Sequence, residues 1–169
     1  MIDHFRMFAA YNRWANTIIY QSVAELTEAE YRQDMGAFFG SIHRTLNHVL
    51  VADRIWMKRF TGAGDVPGRL DHVVFDELTV LTRARQTEDV RIIDWIATLD
   101  DDDLSGKLTY VPISNPVEVT QRLSPALAHF FNHQTHHRGQ VHAMITTLGR
   151  PSPILDLVYF LRDQGKQWL

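Results

Sequence analysis

The stretch SPALAHFFNHQTHHRGQVHAMITTLGRP, Ser124 to Pro151, constrains the chain most, because both ends of one long helix are written into it. Ser124 is a natural N-cap, and Pro125 suits the first helical position, where a missing N–H costs nothing. Gly149 follows the last apolar residue, Leu148, and Pro151 forbids continuation. The predicted helix has about 24 residues, or roughly 36 Å at 1.5 Å per residue. Such a rod needs neighbours of similar length to cover its apolar face.

Three other segments carry the same periodicity. The first runs from about Asp3, a candidate cap, to Leu26, with Phe5, Phe8, Ala9, Ala15, Ile18 and Ile19 as its stripe. The second starts at Ser41, a predicted N-cap, and stops at FTGAG; Ile42, Leu46, Val49, Leu50, Trp56, Met57 and Phe60 recur at three- and four-residue steps. The third runs from about Asp76 to Leu99, with Leu78, Leu81, Ile92, Trp95, Ile96 and Leu99 inward. In its middle, Arg85 and Glu88 fall where the stripe calls for apolar residues. Either the stripe shifts there or the two line a polar cavity. Between the third and fourth helices, Leu108 and Tyr110 alternate with polar neighbours, as do Val117 and Val119, around the turn chemistry of PISNP. That pattern predicts a two-stranded hairpin, and DLVYFLRDQ predicts a short last helix.

The expected fold is therefore all-α. It is a four-helix bundle with a small β-hairpin before the last long helix and a short C-terminal helix, in one domain over residues 1–169. The connections around 27–40 and 101–123 are long for simple up-down hairpins, so at least one crossover, or an element packed over a bundle end, is expected.

Composition excludes several functions. There is no cysteine, hence no disulfide, thiolate ligand or cysteine nucleophile. Net charge is −3 and the basic residues are scattered, which argues against a nucleic-acid surface. No run approaches the roughly 18 apolar residues of a membrane span, and no basic-then-apolar leader is read in MIDHFRMFAAYNRW. A cytoplasmic location, with no membrane and no nucleic-acid partner, is expected.

Five of the nine histidines lie between His129 and His142. They do not share one face. On a helical wheel Phe130, Val141, Met144, Ile145 and Leu148 define the apolar side. His137 sits inside its edge, His133 just beyond it, His129 and His136 further round, and His142 on the opposite flank. His133 and His137 are the pair that can act together. Residues four apart stack with Cβ atoms about 5–6 Å apart, and imidazoles so placed can converge on one ion. A half-buried imidazole also needs a partner. The bland alternative is a pair of hydrogen-bonded core histidines. A third ligand would come from His4, His43, His48 or His72. His43 and His48 flank the second helix's stripe, and periodicity does not choose between them.

Other chemistries fail on specific residues. HQTHH is one residue from the zinc-protease pattern His-Glu-x-x-His, but Gln134 cannot serve as its base. No glutamate precedes a histidine by three, so a carboxylate di-iron bundle is excluded. No nucleophile elbow and no phosphate-binding glycine loop is present.

The chain resembles the DinB superfamily, the damage-inducible DinB/YfiT-like metalloenzymes, which are distinct from the DNA polymerase sharing the name. The resemblance is carried by YNRWAN at residues 11–16, by LNHVLVADRIW with its His48, Asp53 and Trp56, by His133-x-x-x-His137-Arg138-Gly139-Gln140, and by GRPSPILDLVYFL. It implies a four-helix bundle in which His48, His133 and His137 hold one divalent ion, zinc by default, with nickel or iron as alternatives. It also implies a homodimer and a thiol-dependent S-transferase using a low-molecular-weight thiol and a small electrophilic substrate. The alternatives are a metal-dependent hydrolase and a non-catalytic metal-binding stress-response bundle. No catalytic base is identified. Asp53 could orient a ligand imidazole or bind a cosubstrate, or could be a solvated charge. Gln140 could support a ligand from behind. Arg138 is expected in a structural salt bridge and Gly139 at a close helix contact.

Overall fold

The computed structural model describes residues 1–113 and 115–169. Ser114, within the predicted PISNP turn, lies outside the described residues. The elements in order are helix α1 (Ile2–Ala24), short helix α2 (Glu28–Arg32), α3 (Ile42–Thr61), α4 (Leu78–Ala97), strands β1 (Lys107–Tyr110) and β2 (Val119–Arg122), α5 (Leu123–Thr147) and α6 (Leu157–Asp163). Two 3₁₀ turns, Asp103–Ser105 and Lys166–Trp168, complete the chain.

The ends of α3 follow the sequence reading. The Ser41 side chain accepts from the Arg44 N–H at 3.2 Å, and Gly62 terminates the helix in the left-handed region at φ 72°. Gly149 closes α5 in the same way, with φ 73° and the Arg150 N–H reaching back to the Ile145 carbonyl. Two predicted caps are corrected. Asp3 does not cap α1; it sits in the first turn and pairs with Arg6, while Asp101 takes the Ile2 N–H at 2.6 Å. Ser124 and Pro125 are already inside α5, because β2 runs straight into the helix and the Leu123 N–H bonds the Gly106 carbonyl. Pro125 still costs no hydrogen bond, since the first four helical N–H groups have no intrahelical acceptor.

Residues 27–40, expected as a connection, hold more structure than that. They contain α2, started by a reciprocal capping box between Thr27 and Glu30, and a tight turn joining Ala37 to Gly40. The hairpin is antiparallel with Tyr110 opposite Val119. Val117 lies outside it, exposed, so the strand begins two residues later than its alternation suggested.

Helix α1 packs against α4 and α5, and α3 packs against the same two. The chain thus crosses the bundle twice, through 25–41 and through the hairpin segment, which accounts for the two long connections. Along each long helix the buried residues change character at mid-height. One apolar cluster holds Phe5, Met57, Ile92 and Phe130; the other holds Ile19, Leu50, Leu81 and Val141. Between them lies a polar layer from all four helices: Asn12 and Asn16, Asp53, Arg85 and Asp89, Gln134 and Arg138, all buried. The stripe of α4 does not shift at Arg85. The arginine is part of the core, as is Glu88, which pairs with Arg91.

Candidate metal centre

His48 projects from α3, and His133 and His137 project from adjacent turns of α5. Their rings meet at the level of the polar layer. One nitrogen from each lies within 4.8 Å of the other two. His133 Nε2 is 3.4 Å from His48 Nε2 and 3.1 Å from His137 Nε2. His48 Nδ1 is 2.8 Å from the Leu70 carbonyl, and His137 Nδ1 is 2.7 Å from Gln140 Oε1. Both contacts are to acceptors, so each Nδ1 carries the proton and each Nε2 turns a lone pair toward the common point. Outer hydrogen bonds of this kind fix the tautomer that metal ligation needs. The donor set therefore fits a divalent ion.

Burial keeps these rings neutral. It pushes His133 down to about 3, helped by its neighbours His137 and His48. It pushes His137 down to about 4 against the opposing Gln140 bond, and it lowers His48. His133 Nε2 stands between the Nε2 lone pairs of His48 and His137, so the three rings turn the same edge to one point. Phe39, from the turn after α2, stacks on His48 with ring centroids 3.9 Å apart.

The remaining histidines lie elsewhere. His43 is buried but turns to Tyr31, with Phe75's carbonyl and Arg32 near its ring nitrogens. His142 bonds Ser152. His4 and His72 are exposed, as are His129 and His136. His136 lies 3.3 Å from Gln140 Nε2, which places Gln140 between it and His137.

Other expectations change. Asp53 neither orients an imidazole nor meets solvent. It is 1% exposed and pairs with Arg85 at 2.5 Å. Burial pushes its carboxyl up to about 6 while Arg85 opposes the shift. Arg85 also reaches Asp89 at 3.0 Å; burial works against its charge, but the two carboxylates outweigh it and raise its pKa. Arg138 makes no salt bridge among the described residues. It donates to the Asn12 and Asn16 side-chain oxygens and to Thr135. Gly139 is exposed, and a Cβ there would meet nothing, so close packing is not its role. Gln134, at the position of the protease base, is fully buried in the core and lines neither cavity beside the triad.

Two cavities flank the centre. A groove of about 1110 Å³ is lined by Arg32, Asp34, Phe38, Phe39, Arg44, Asp71 and Gln140 together with all three histidines. A cleft of about 250 Å³ is lined by Ile55, Trp56, Arg59, Tyr110, Ile113 and His129. His48, His133 and Leu70 line both, so these residues form the partition. The sequence reading did not anticipate Phe39 or the Leu70 carbonyl. A backbone acceptor leaves no mark in side-chain pattern, and only the paired phenylalanines between Gly36 and Gly40 hinted at the first.

The sequence model of the DinB family matches residues 1–168. The chain belongs to the DinB family. It is also 29% identical over 159 residues to Protein DinB of Bacillus subtilis (strain 168), covering 89% of this chain and 90% of that relative. The family match spans the whole bundle, so the triad and both cavities lie on the family's own framework rather than on an added domain. No helix among the described residues is long and apolar enough to cross a membrane.

Proposed function

We propose that this DinB-family chain is a divalent-metal enzyme of the thiol-transferase type, with His48, His133 and His137 as its three ligands. The observation that carries the reading is the pair of unequal cavities meeting at the triad. A two-reactant centre needs room on two sides of the ion, whereas hydrolysis needs one organic substrate and water. The groove bears both charges, Arg32 and Arg44 with Asp34 and Asp71, which suits a polar low-molecular-weight thiol. The cleft, with its aromatic walls, suits a small electrophile.

A divalent ion held by three neutral imidazoles keeps its full charge and an open position, and so favours the thiolate form of a thiol placed beside it. The chain supplies the rest. Leu70 and Gln140 hold His48 and His137 in the ligating tautomer, and Phe39 covers the outer face of His48. Among the described residues no carboxylate joins the cluster, and a thiol of near-neutral pKa demands a base less than water does. Zinc is the default ion, with nickel or iron as alternatives sharing imidazole ligands. A homodimer and a cytoplasmic location are carried with this proposal, the former checked by sedimentation of the intact chain.

The test is metal analysis followed by turnover. Protein purified without added metal should hold about one divalent ion per chain, as a single three-histidine site predicts. His137→Ala should lose the ion, and His142→Ala should keep it; equal retention refutes the ligand set. The wild type should join a cellular thiol to a reactive electrophile only when loaded. Ester or amide hydrolysis without thiol would replace the transferase reading with the hydrolase one. A loaded protein inert toward both panels would favour a non-catalytic metal-binding bundle.

A further inference from the structure

The 250 Å³ cleft contains an arginine whose charge is unanswered. Arg59 lies one helical turn beyond Trp56 on α3 and is half-buried. Its guanidinium carbon is 4.6 Å from the centroid of Trp56 and 4.3 Å from that of Tyr110. Both rings stabilise the cation through their π faces, and they hold it at one end of the cleft. Burial still lowers its pKa, so the site costs the charge some hydration. Among the described residues, Arg59 is alone among the buried and half-buried arginines in lacking both an acidic partner and a hydrogen-bond acceptor. Arg6, Arg32, Arg54, Arg85, Arg91 and Arg150 each pair with a carboxylate. Arg138 is satisfied by amides.

From this end the cleft leads to the triad through a chain of rings. Trp56 and His129 have centroids 5.2 Å apart, and His129 and His133 are 5.8 Å apart. The walls between are apolar: Ala52, Ile55 and Ile113. The volume lies below the roughly 300–1,000 Å³ usual for drug-sized ligands, so the occupant is small. A guanidinium placed over aromatic faces keeps its N–H edge for a planar acceptor, and a carboxylate is the group that matches that edge with two parallel bonds.

We infer that the cleft is a carboxylate-binding subsite. Arg59 takes the carboxylate of a small ligand, Trp56 and Tyr110 with the apolar walls take its body, and its other end faces His133. Only this last orientation rests on the reading of the triad as a reaction centre; the anion site stands on the metal-free protein. The hairpin then has a task, since it delivers Tyr110 to the arginine.

Metal-depleted full-length protein, titrated by calorimetry with benzoate and hexanoate and with their neutral isosteres benzamide and hexanamide, tests the inference. At least one acid should bind tenfold or more tightly than its amide, and the preference should weaken with added salt. Arg59→Met should bind acid and amide alike, and Arg59→Lys should recover part of the preference. Acids binding no better than amides to the wild type would overturn the subsite, whatever the variants do, as would unaltered acid binding by a folded Arg59→Met protein. His137→Ala separates this result from the metal assignment: it should lose the ion and keep the acid preference.

Discussion

At the scale of single residues, what distinguishes the triad from three core histidines is the use of the second ring nitrogen. His48 and His137 each donate Nδ1–H to an oxygen, at 2.8 and 2.7 Å. An imidazole has one proton when neutral, so this choice leaves Nε2 as a bare lone pair aimed inward. Gln140 is therefore a positioning residue. Its Oε1 accepts from His137 and its Nε2 faces His136. Gln140→Leu should weaken metal affinity by about 10–100-fold while leaving the helix intact, the usual cost of losing such a support. Competition with a chromophoric chelator would measure it, and an unchanged affinity would remove Gln140 from the site.

At the scale of elements, the four long helices are tied by charge as well as by apolar contact. Arg85 of α4 meets Asp53 of α3, and Asp89 of α4 accepts from Asn12 and Asn16 of α1 at 3.3 and 2.9 Å. Arg138 of α5 closes the set through the same asparagines. Two arginines balance two aspartates, so the layer is neutral as a whole. Removing one member leaves a buried charge without its counter-ion, which typically costs about 3–5 kcal/mol. Arg85→Leu should destabilise the protein by that order, read as a lower urea midpoint. Among the described residues the buried Tyr20 hydroxyl has no hydrogen-bond partner, while Gln134 works against the burial of Asp53 and favours its charged form.

At the scale of the whole molecule, placing the triad beside this layer makes folding sensitive to acid. The ordinary histidine value is 6.5, and the fold holds His133 near 3 and His137 near 4. Below pH 6.5 the unfolded chain takes up protons that the folded chain refuses. Stability therefore falls as pH drops from 6.5 toward those folded values, and it is fully present above 6.5. Asp53 acts in the opposite sense, because burial raises it to about 6 and favours protonation in the fold. Comparing wild type with His133→Ala, both metal-free, cancels the Asp53 contribution. The variant should lose less stability between pH 6.5 and 4, as followed by denaturant midpoints. Parallel pH profiles for the two would contradict the burial of His133.

Much of this was legible along the chain. Ser41, Gly62 and Gly149 mark helix ends through local backbone chemistry, which tertiary packing did not override. The wheel separated His133 and His137 from His142 because helical spacing alone fixes which residues share a face. The third histidine was different. His43 and His48 flank one stripe, and periodicity left both open; the family likeness named His48, and α5 packed on that flank brings its ring to the pair. The polar layer was equally hidden. Arg85 broke an apolar pattern, but its partner Asp53 lies 32 residues away on another helix. The sequence by itself determined the four long helices, the start of α3, the C-terminal ends of α3 and α5 and the inward pair, since these depend on neighbours a few residues apart, whereas the starts of α1 and α5 were set by contacts with distant segments. Only the tertiary structure decided which rings converge, which charges cancel and where Arg59 faces an open cleft, because those are distances between elements that local sequence does not encode.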